Sequence, residues 1–249
     1  MKWIAAAVAA ALLFSACGGS DESKPQLVVS AASSLAEALT SCSSEFPRAD
    51  VRLQFAGSDE LATQIRRGVT PDVFAAANTK LPDPLHAEGL LDRPVTFAAN
   101  ELVLAVPAGS TRVRSLEDTG KAGVKVAIGS ESVPVGSYTR EVLSHLPPAV
   151  GRRILANVRS EEPDVKGVVG KLIQRAVDAG FVYASDVTAA KGKLDAIRLR
   201  RRLRPDVAYG AAVVSRSKQP DAARGYVDGL ESGTCAKALR QAGFKPPSS

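Results

Sequence analysis

Four stretches of the chain place hydroxyls, glycines or prolines just where a helix begins: "AASSLAEAL" from Ala31, "FAGSDELATQI" from Phe55, "SVPVGSYTREVL" from Ser132 and "EEPDVKGVVGKLIQ" from Glu161. A helix start exposes backbone N–H groups with no carbonyl partner and carries about half a positive charge. Several starts aimed at one space would hold an anion without any cation, small residues letting the ligand approach the backbone and spare hydroxyls adding donors. For each stretch taken alone, ordinary helix capping explains the same residues, and Ser34-Leu-Ala-Glu37 fits a capping box. Whether the four starts converge is a matter of tertiary structure.

Other chemistries find little support. The two histidines, His86 and His145, are far apart in the chain, and no H-E-x-x-H, G-x-S-x-G or paired-cysteine motif accompanies them. A hydrolase would need a base near Ser34 or Ser58. "DVKGVVGK" resembles a phosphate loop only loosely, because Val165 stands where the first glycine belongs and Leu172 replaces the hydroxyl residue. The densest basic run, Arg198 to Arg204, has no interleaved aromatic residue and reads as a solvated strand face or loop, not a nucleic-acid surface.

The elements that must position these residues alternate between strand-like and helix-like, which favours an α/β architecture. Strands are expected at 26–31, 51–55, 72–76, 101–106, 124–128, 181–184 and 207–214. Helices are expected at 34–46, 58–67, 79–88, 136–145, 149–156, 164–178, 220–230 and 233–241. The 249 residues suit one large domain or two modest lobes, and 45% hydrophobic with 23% charged residues argues for a folded chain with a sizeable aliphatic core.

The first residues stand apart from that core. After Lys2, the apolar stretch Ile4–Phe14 is too short to span a bilayer comfortably. Phe14-Ser15-Ala16-Cys17 then resembles a bacterial lipoprotein signal, with residues 1–16 removed and lipid attached to Cys17; Phe14 departs from the usual aliphatic residue. A plain secretory signal with a chance cysteine is the other reading. Residues 17–25 form a tether. Removal of the leader takes one lysine from the formal net charge of +6 and leaves +5, and it also removes Trp3, the one tryptophan. Export permits disulfides, and with Cys17 used as an anchor, Cys42 and Cys235 remain as an expected pair. Two buried reduced cysteines are the alternative.

"SAASSLAEAL", "FAGSDELATQIRRGVTPDVFAAAN", "NELVLAVP", "SVPVGSYTREVL" and "GFVYASDV" follow one another in an order and spacing that resembles the molybdate-binding proteins (the ModA family) of bacterial ABC transporters. The likeness runs from about Leu27 to Phe244. It implies a type II periplasmic-binding-protein fold, with a ligand cleft between two α/β lobes. The first lobe would comprise 26–100 and 206–249, the second 101–205, with crossings near Asn100-Glu101 and Pro205-Asp206. Cys42 and Cys235 would then share a lobe. It also implies that Ser34 and Ser58 donate hydroxyls, Val135 and Val165 donate backbone N–H groups, and Tyr183 donates its phenol to molybdate or tungstate; Ser30 and Ser33 would pack or cap. No cofactor or catalysis is implied. The partners would be the oxyanion, an ABC permease and, through the lipid, the cell membrane; nucleic acid is not among them, and the protein would be a monomer outside the cytoplasm. A binding protein for another oxyanion such as sulfate, or a secreted hydrolase, is the alternative. Two departures stand out: Val135 occupies a position that is usually small, and Asp59 puts an acid beside the second motif, where it must point away or complement its helix start.

Overall fold

The computed structural model describes residues 24–247. The leader, Cys17 and most of the tether lie outside the described residues. In chain order the elements are β1 (Gln26–Ala32), a 3-10 turn (Ser33–Leu35), α1 (Ala36–Ser43), β2 (Asp50–Ala56), α2 (Ser58–Arg66), β3 (Val73–Ala76), α3 (Pro82–Ala87) and β4 (Val95–Asn100). There follow β5 (Leu102–Pro107), β6 (Val126–Gly129), α4 (Pro134–Ser144), α5 (Pro148–Ala156), β7 (Val158–Glu162), α6 (Val165–Ile173), β8 (Ala179–Tyr183), α7 (Ala184–Ala189) and β9 (Leu194–Arg198). β10 (Val207–Val213), α8 (Pro220–Glu231) and α9 (Thr234–Gln241) complete the described chain.

The strands form two five-stranded sheets, ordered β2-β1-β3-β10-β4 and β7-β6-β8-β5-β9. In the first, β1, β2 and β3 run parallel while β10 is antiparallel to β3 and β4. The second repeats this, with β6, β7 and β8 parallel and β5 antiparallel to β8 and β9. The chain passes from the first sheet to the second between Asn100 and Leu102 and returns between Arg198 and Val207. The α/β architecture with two sheets is therefore as the sequence suggested.

Strand position explains which segments were legible. β3, β5 and β8 are buried at every residue, and their near-continuous apolar runs are what a central strand covered on both faces requires. Three strands went unanticipated. β7 ("VRSEE") and β9 ("LDAIR") are five-residue edge strands with one neighbour each and no sustained apolar run. β4 abuts β5 with only Glu101 between them, so no turn signal separates the two. The six-residue α7 was also missed, because it follows β8 directly. α6 stops at Ile173, short of the expected 178, where Arg175 adopts φ 57° and the backbone leaves the helical region.

Cys42 on α1 is bonded to Cys235 on α9, with Cα atoms 4.9 Å apart. The bond ties the beginning and end of the chain together on the first sheet. In the basic run, Leu199 and Leu203 are buried while the five arginines are exposed, and Arg200 pairs with Glu117. The run is a solvated return segment held by two leucine anchors.

Candidate functional site

All four helix starts reach one cavity. It has a volume of about 20 Å³ and is lined by Ala32, Ser33, Ser34, Ala56, Gly57, Ser58 and Ala77 from the first sheet's side, and by Val133, Pro134, Val135, Asp164, Val165 and Tyr183 from the second's. It lies at the carboxyl ends of the parallel strands, where open α/β sheets bind ligands. So small a space suits only a compact ligand of a few atoms. Ser34, Ser58, Val135, Val165 and Tyr183 are thus brought together, each less than a twentieth exposed.

The lining contains no lysine, arginine or histidine. Its one acid, Asp164, is occupied: the carboxylate accepts the Gly167 N–H at 3.0 Å and caps α6. α2 and α4 begin without any side-chain cap, at Gly57 and Val133. Their first N–H groups therefore have no carbonyl within the helix and no capping oxygen. Pro134, at the first turn of α4, brings no N–H of its own, so the first donor of that helix is Val135. Val135 fits despite its branching because Gly129 leaves the space: a Cβ there would lie 2.6 Å from Val135 Cγ1.

The hydroxyls have defined partners. The Ala77 N–H donates to Ser58 Oγ at 3.1 Å, which uses an acceptor site of that oxygen and leaves its hydrogen free to donate. Ser34 Oγ lies 3.0 Å from the hydroxyl of Tyr209, a fully buried residue of β10. The expected capping box at Ser34 is absent. Ser34 sits inside the 3-10 turn and Glu37 pairs with Lys166, so neither side chain turns back on the backbone. Ser30, expected to pack or cap, donates to Gln54 Oε1 at 3.2 Å, while Ser33 faces the cavity. Asp59 lies in the first turn of α2 and does not line the cavity.

The decisive group is Tyr183. Its residue is 1% exposed, it lines the cavity, and its phenolic oxygen has no hydrogen-bond partner. An unpaired buried hydroxyl costs about 1–3 kcal/mol, which a ligand oxygen would relieve. Burial raises the phenols of Tyr183 and Tyr209 well above their ordinary pKa, so both remain protonated donors near neutral pH. The arrangement gathers uncharged hydrogen-bond donors around one small space.

Two features escaped the sequence reading. Tyr209 lies in an expected strand, and nothing in "AYGAA" marks its hydroxyl as facing Ser34. Lys166 sits one residue from a proposed donor, yet is held by carboxylates outside the cavity. Among the described residues no cluster of histidine, cysteine or acidic side chains could hold a metal ion, and no helix is long and apolar enough to cross a membrane.

The model of the bacterial extracellular solute-binding proteins matches residues 27–245. The chain belongs to that family. It is 37% identical to the molybdate-binding protein ModA of Mycobacterium tuberculosis over 235 residues, covering 92% of this chain and 88% of the other. Among solved structures, the periplasmic molybdate-binding protein of Azotobacter vinelandii superposes with a TM-score of 0.81 at 19% identity, covering 89% of this chain and all of that one. The sulfate-binding protein SubI of Mycobacterium tuberculosis superposes with a TM-score of 0.79 at 15% identity, covering 89% of this chain and 87% of that one. These two structures establish the solute-binding fold. They do not choose the anion.

Proposed function

We propose that this solute-binding protein captures molybdate or tungstate in the cavity and delivers it to an ABC permease. The observation that carries the reading is the orphaned Tyr183 phenol in a wholly uncharged donor set with Ser34 and Ser58. Both ions are dianions that stay deprotonated at neutral pH. Burying such an ion costs several kcal/mol unless its oxygens are bonded. Hydrogen bonds to charged groups contribute roughly 1.5–3 kcal/mol each. About five, one each from Ser34, Ser58, Tyr183 and the N–H groups of Val135 and Val165, would leave submicromolar binding. Protonated phosphate brings a hydrogen that an all-donor cage cannot accept, and sulfate is too small to fill a rigid cage fitted to longer metal–oxygen bonds. The 37% identity to ModA supports the same choice.

Residues 26–100 and 206–249 act as one lobe and 101–205 as the other, hinged where the chain crosses between the sheets. Ligand bonded by both lobes favours the closed form, which the permease would recognise. The mature protein is a monomer, carried outside the cytoplasm on a lipid at Cys17. Its solute-binding relatives support a role in binding rather than catalysis, and the His86 ring, bonded to the Leu91 carbonyl at 2.9 Å, does not line the cavity.

Sulfate is the second reading, favoured by a donor set of uncharged groups that would also serve a sulfate dianion. Titration calorimetry of the mature protein with molybdate, tungstate, sulfate and phosphate separates them. The expected result is submicromolar binding of the first two only. A sulfate affinity within tenfold of molybdate's would transfer the assignment to sulfate.

A further inference from the structure

Lys166 is in an electrostatically unfavourable place. It lies in the first turn of α6, at the positive end of the helix dipole and next to the proposed donor Val165. A lysine there would be expected to reach toward a bound anion, yet it does not line the cavity. Its ammonium is held instead by two carboxylates from opposite sides of the cleft. Both oxygens of Glu37, on α1 beside the first sheet, lie within 2.9 Å of Nζ. Asp186 Oδ1, on α7 beside the second sheet, lies at 3.3 Å. Asp186 is itself buried, and its other oxygen accepts the backbone N–H of Tyr183 at 3.1 Å. One chain of contacts therefore runs from the first wall through Lys166 to the backbone that carries the Tyr183 phenol.

The two carboxylates differ in what happens when the walls part. Asp186 travels with Lys166, since α6 and α7 both flank the second sheet. Glu37 travels with α1. The Glu37–Lys166 pair can form only when the walls are close, and the walls are in contact here: a Cβ on Gly57 would lie 2.5 Å from the Pro163 carbonyl oxygen.

We infer that Lys166 is a latch across the mouth of the cleft, joining Glu37 in the closed form to Asp186 and thereby positioning Tyr183, so that it slows release of the anion. This rests on the oxyanion-binding reading above. The latch acts after closure, so it governs dissociation and leaves encounter nearly untouched. Glu37 is half exposed, and its removal leaves Lys166 paired with the buried Asp186, so E37Q tests the latch without threatening the fold.

Bound radioactive molybdate is chased with excess tungstate in the parent, E37Q, K166M and the E37Q/K166M double variant. E37Q is expected to speed release roughly fivefold, the upper range for an exposed ion pair. Association should change less than twofold. K166M should speed release at least as much, and the double variant should release no faster than K166M. K166R, which keeps the charge, should restore most of the slow release. A parental release rate in E37Q, or effects of E37Q and K166M that multiply in the double variant, would overturn the latch while leaving oxyanion binding in place. If the parent takes up no molybdate, the functional reading fails instead, and the latch is read separately. Carbodiimide treatment should then join Glu37 to Lys166 in the same chain, as seen by peptide mass spectrometry, and absence of that cross-link would overturn it.

Discussion

The two walls of the cavity are built on the same plan and stocked differently. Strand for strand, β2-β1-β3-β10-β4 corresponds to β7-β6-β8-β5-β9, and in each sheet three parallel strands end at the cleft. The first wall presents small residues and hydroxyls: Ala32, Ser33, Ser34, Gly57, Ser58. The second presents Val133, Pro134, Val135 and Val165, bulky side chains that cannot donate, together with the Asp164 carboxylate that caps α6 and one side-chain donor, the Tyr183 phenol. Topology alone therefore supplies helix starts twice. The first wall adds side-chain donors to them, whereas the second leaves the backbone to act and uses its side chains to exclude water. The hydroxyl donors Ser34, Ser58 and Tyr183 can be deleted by a side-chain substitution; the donors at Val135 and Val165 can be deleted only by removing an N–H.

The largest expected effect concerns the one covalent difference between the halves. The disulfide Cys42–Cys235 spans 193 residues and lies wholly on the first sheet's side. Its removal in C42S/C235S should cost about 3–5 kcal/mol of stability. Hydrogen exchange should show the loss concentrated in β1, α1 and α9, and equal loss around β6 and α4 would break the distinction between the halves. Next, G57A should lower oxyanion affinity roughly a hundredfold while leaving thermal stability near the parent, because its methyl meets Pro163 across the cleft. Calorimetry beside a melting curve checks both.

A matched pair then sharpens the contrast between walls. S58A removes a hydroxyl from the first wall. V165P removes an N–H from the second at a position where proline fits, since Asp164 before it is extended at φ −157° and ψ 174°. Each should weaken binding roughly tenfold to a hundredfold. V165I, which keeps the N–H, should bind like the parent; a loss there would mean that side-chain shape, not the backbone, carries the second wall. Smaller still, Y209F removes the phenol behind Ser34 but keeps the ring that packs edge-on against Tyr183 and Phe244. It should weaken binding about fivefold.

A last effect is one of pH and is read on stability, not on binding. Burial pushes the Asp186 carboxyl up to about 6, against the pull of Lys166 and the Tyr183 N–H, with Glu37 adding to the rise. Between about pH 4 and 6 the folded state then holds a proton that the unfolded chain has lost, so this group makes stability rise as pH falls through that window. Denaturation midpoints of the parent relative to D186N should show that slope, and a flat difference would refute it.

The sequence on its own determined the alternation of strands and helices, the central strands and the four helix starts, because burial on both faces and N-terminal small residues leave local signatures. It also held the Cys42 and Cys235 pair and, through ordered motifs, the resemblance to molybdate-binding proteins. It left the edge strands β7 and β9 unseen, since a strand with one neighbour needs no apolar run. Only the tertiary structure decided that the four starts meet, that Ser34 leans on Tyr209 instead of capping its own helix, and that Lys166 turns away from the cavity to join two acids. Those outcomes depend on partners outside the local segment, Tyr209 lying 175 residues from Ser34 and Glu37 lying 129 from Lys166, and no local pattern encodes the direction in which a side chain finds such a partner.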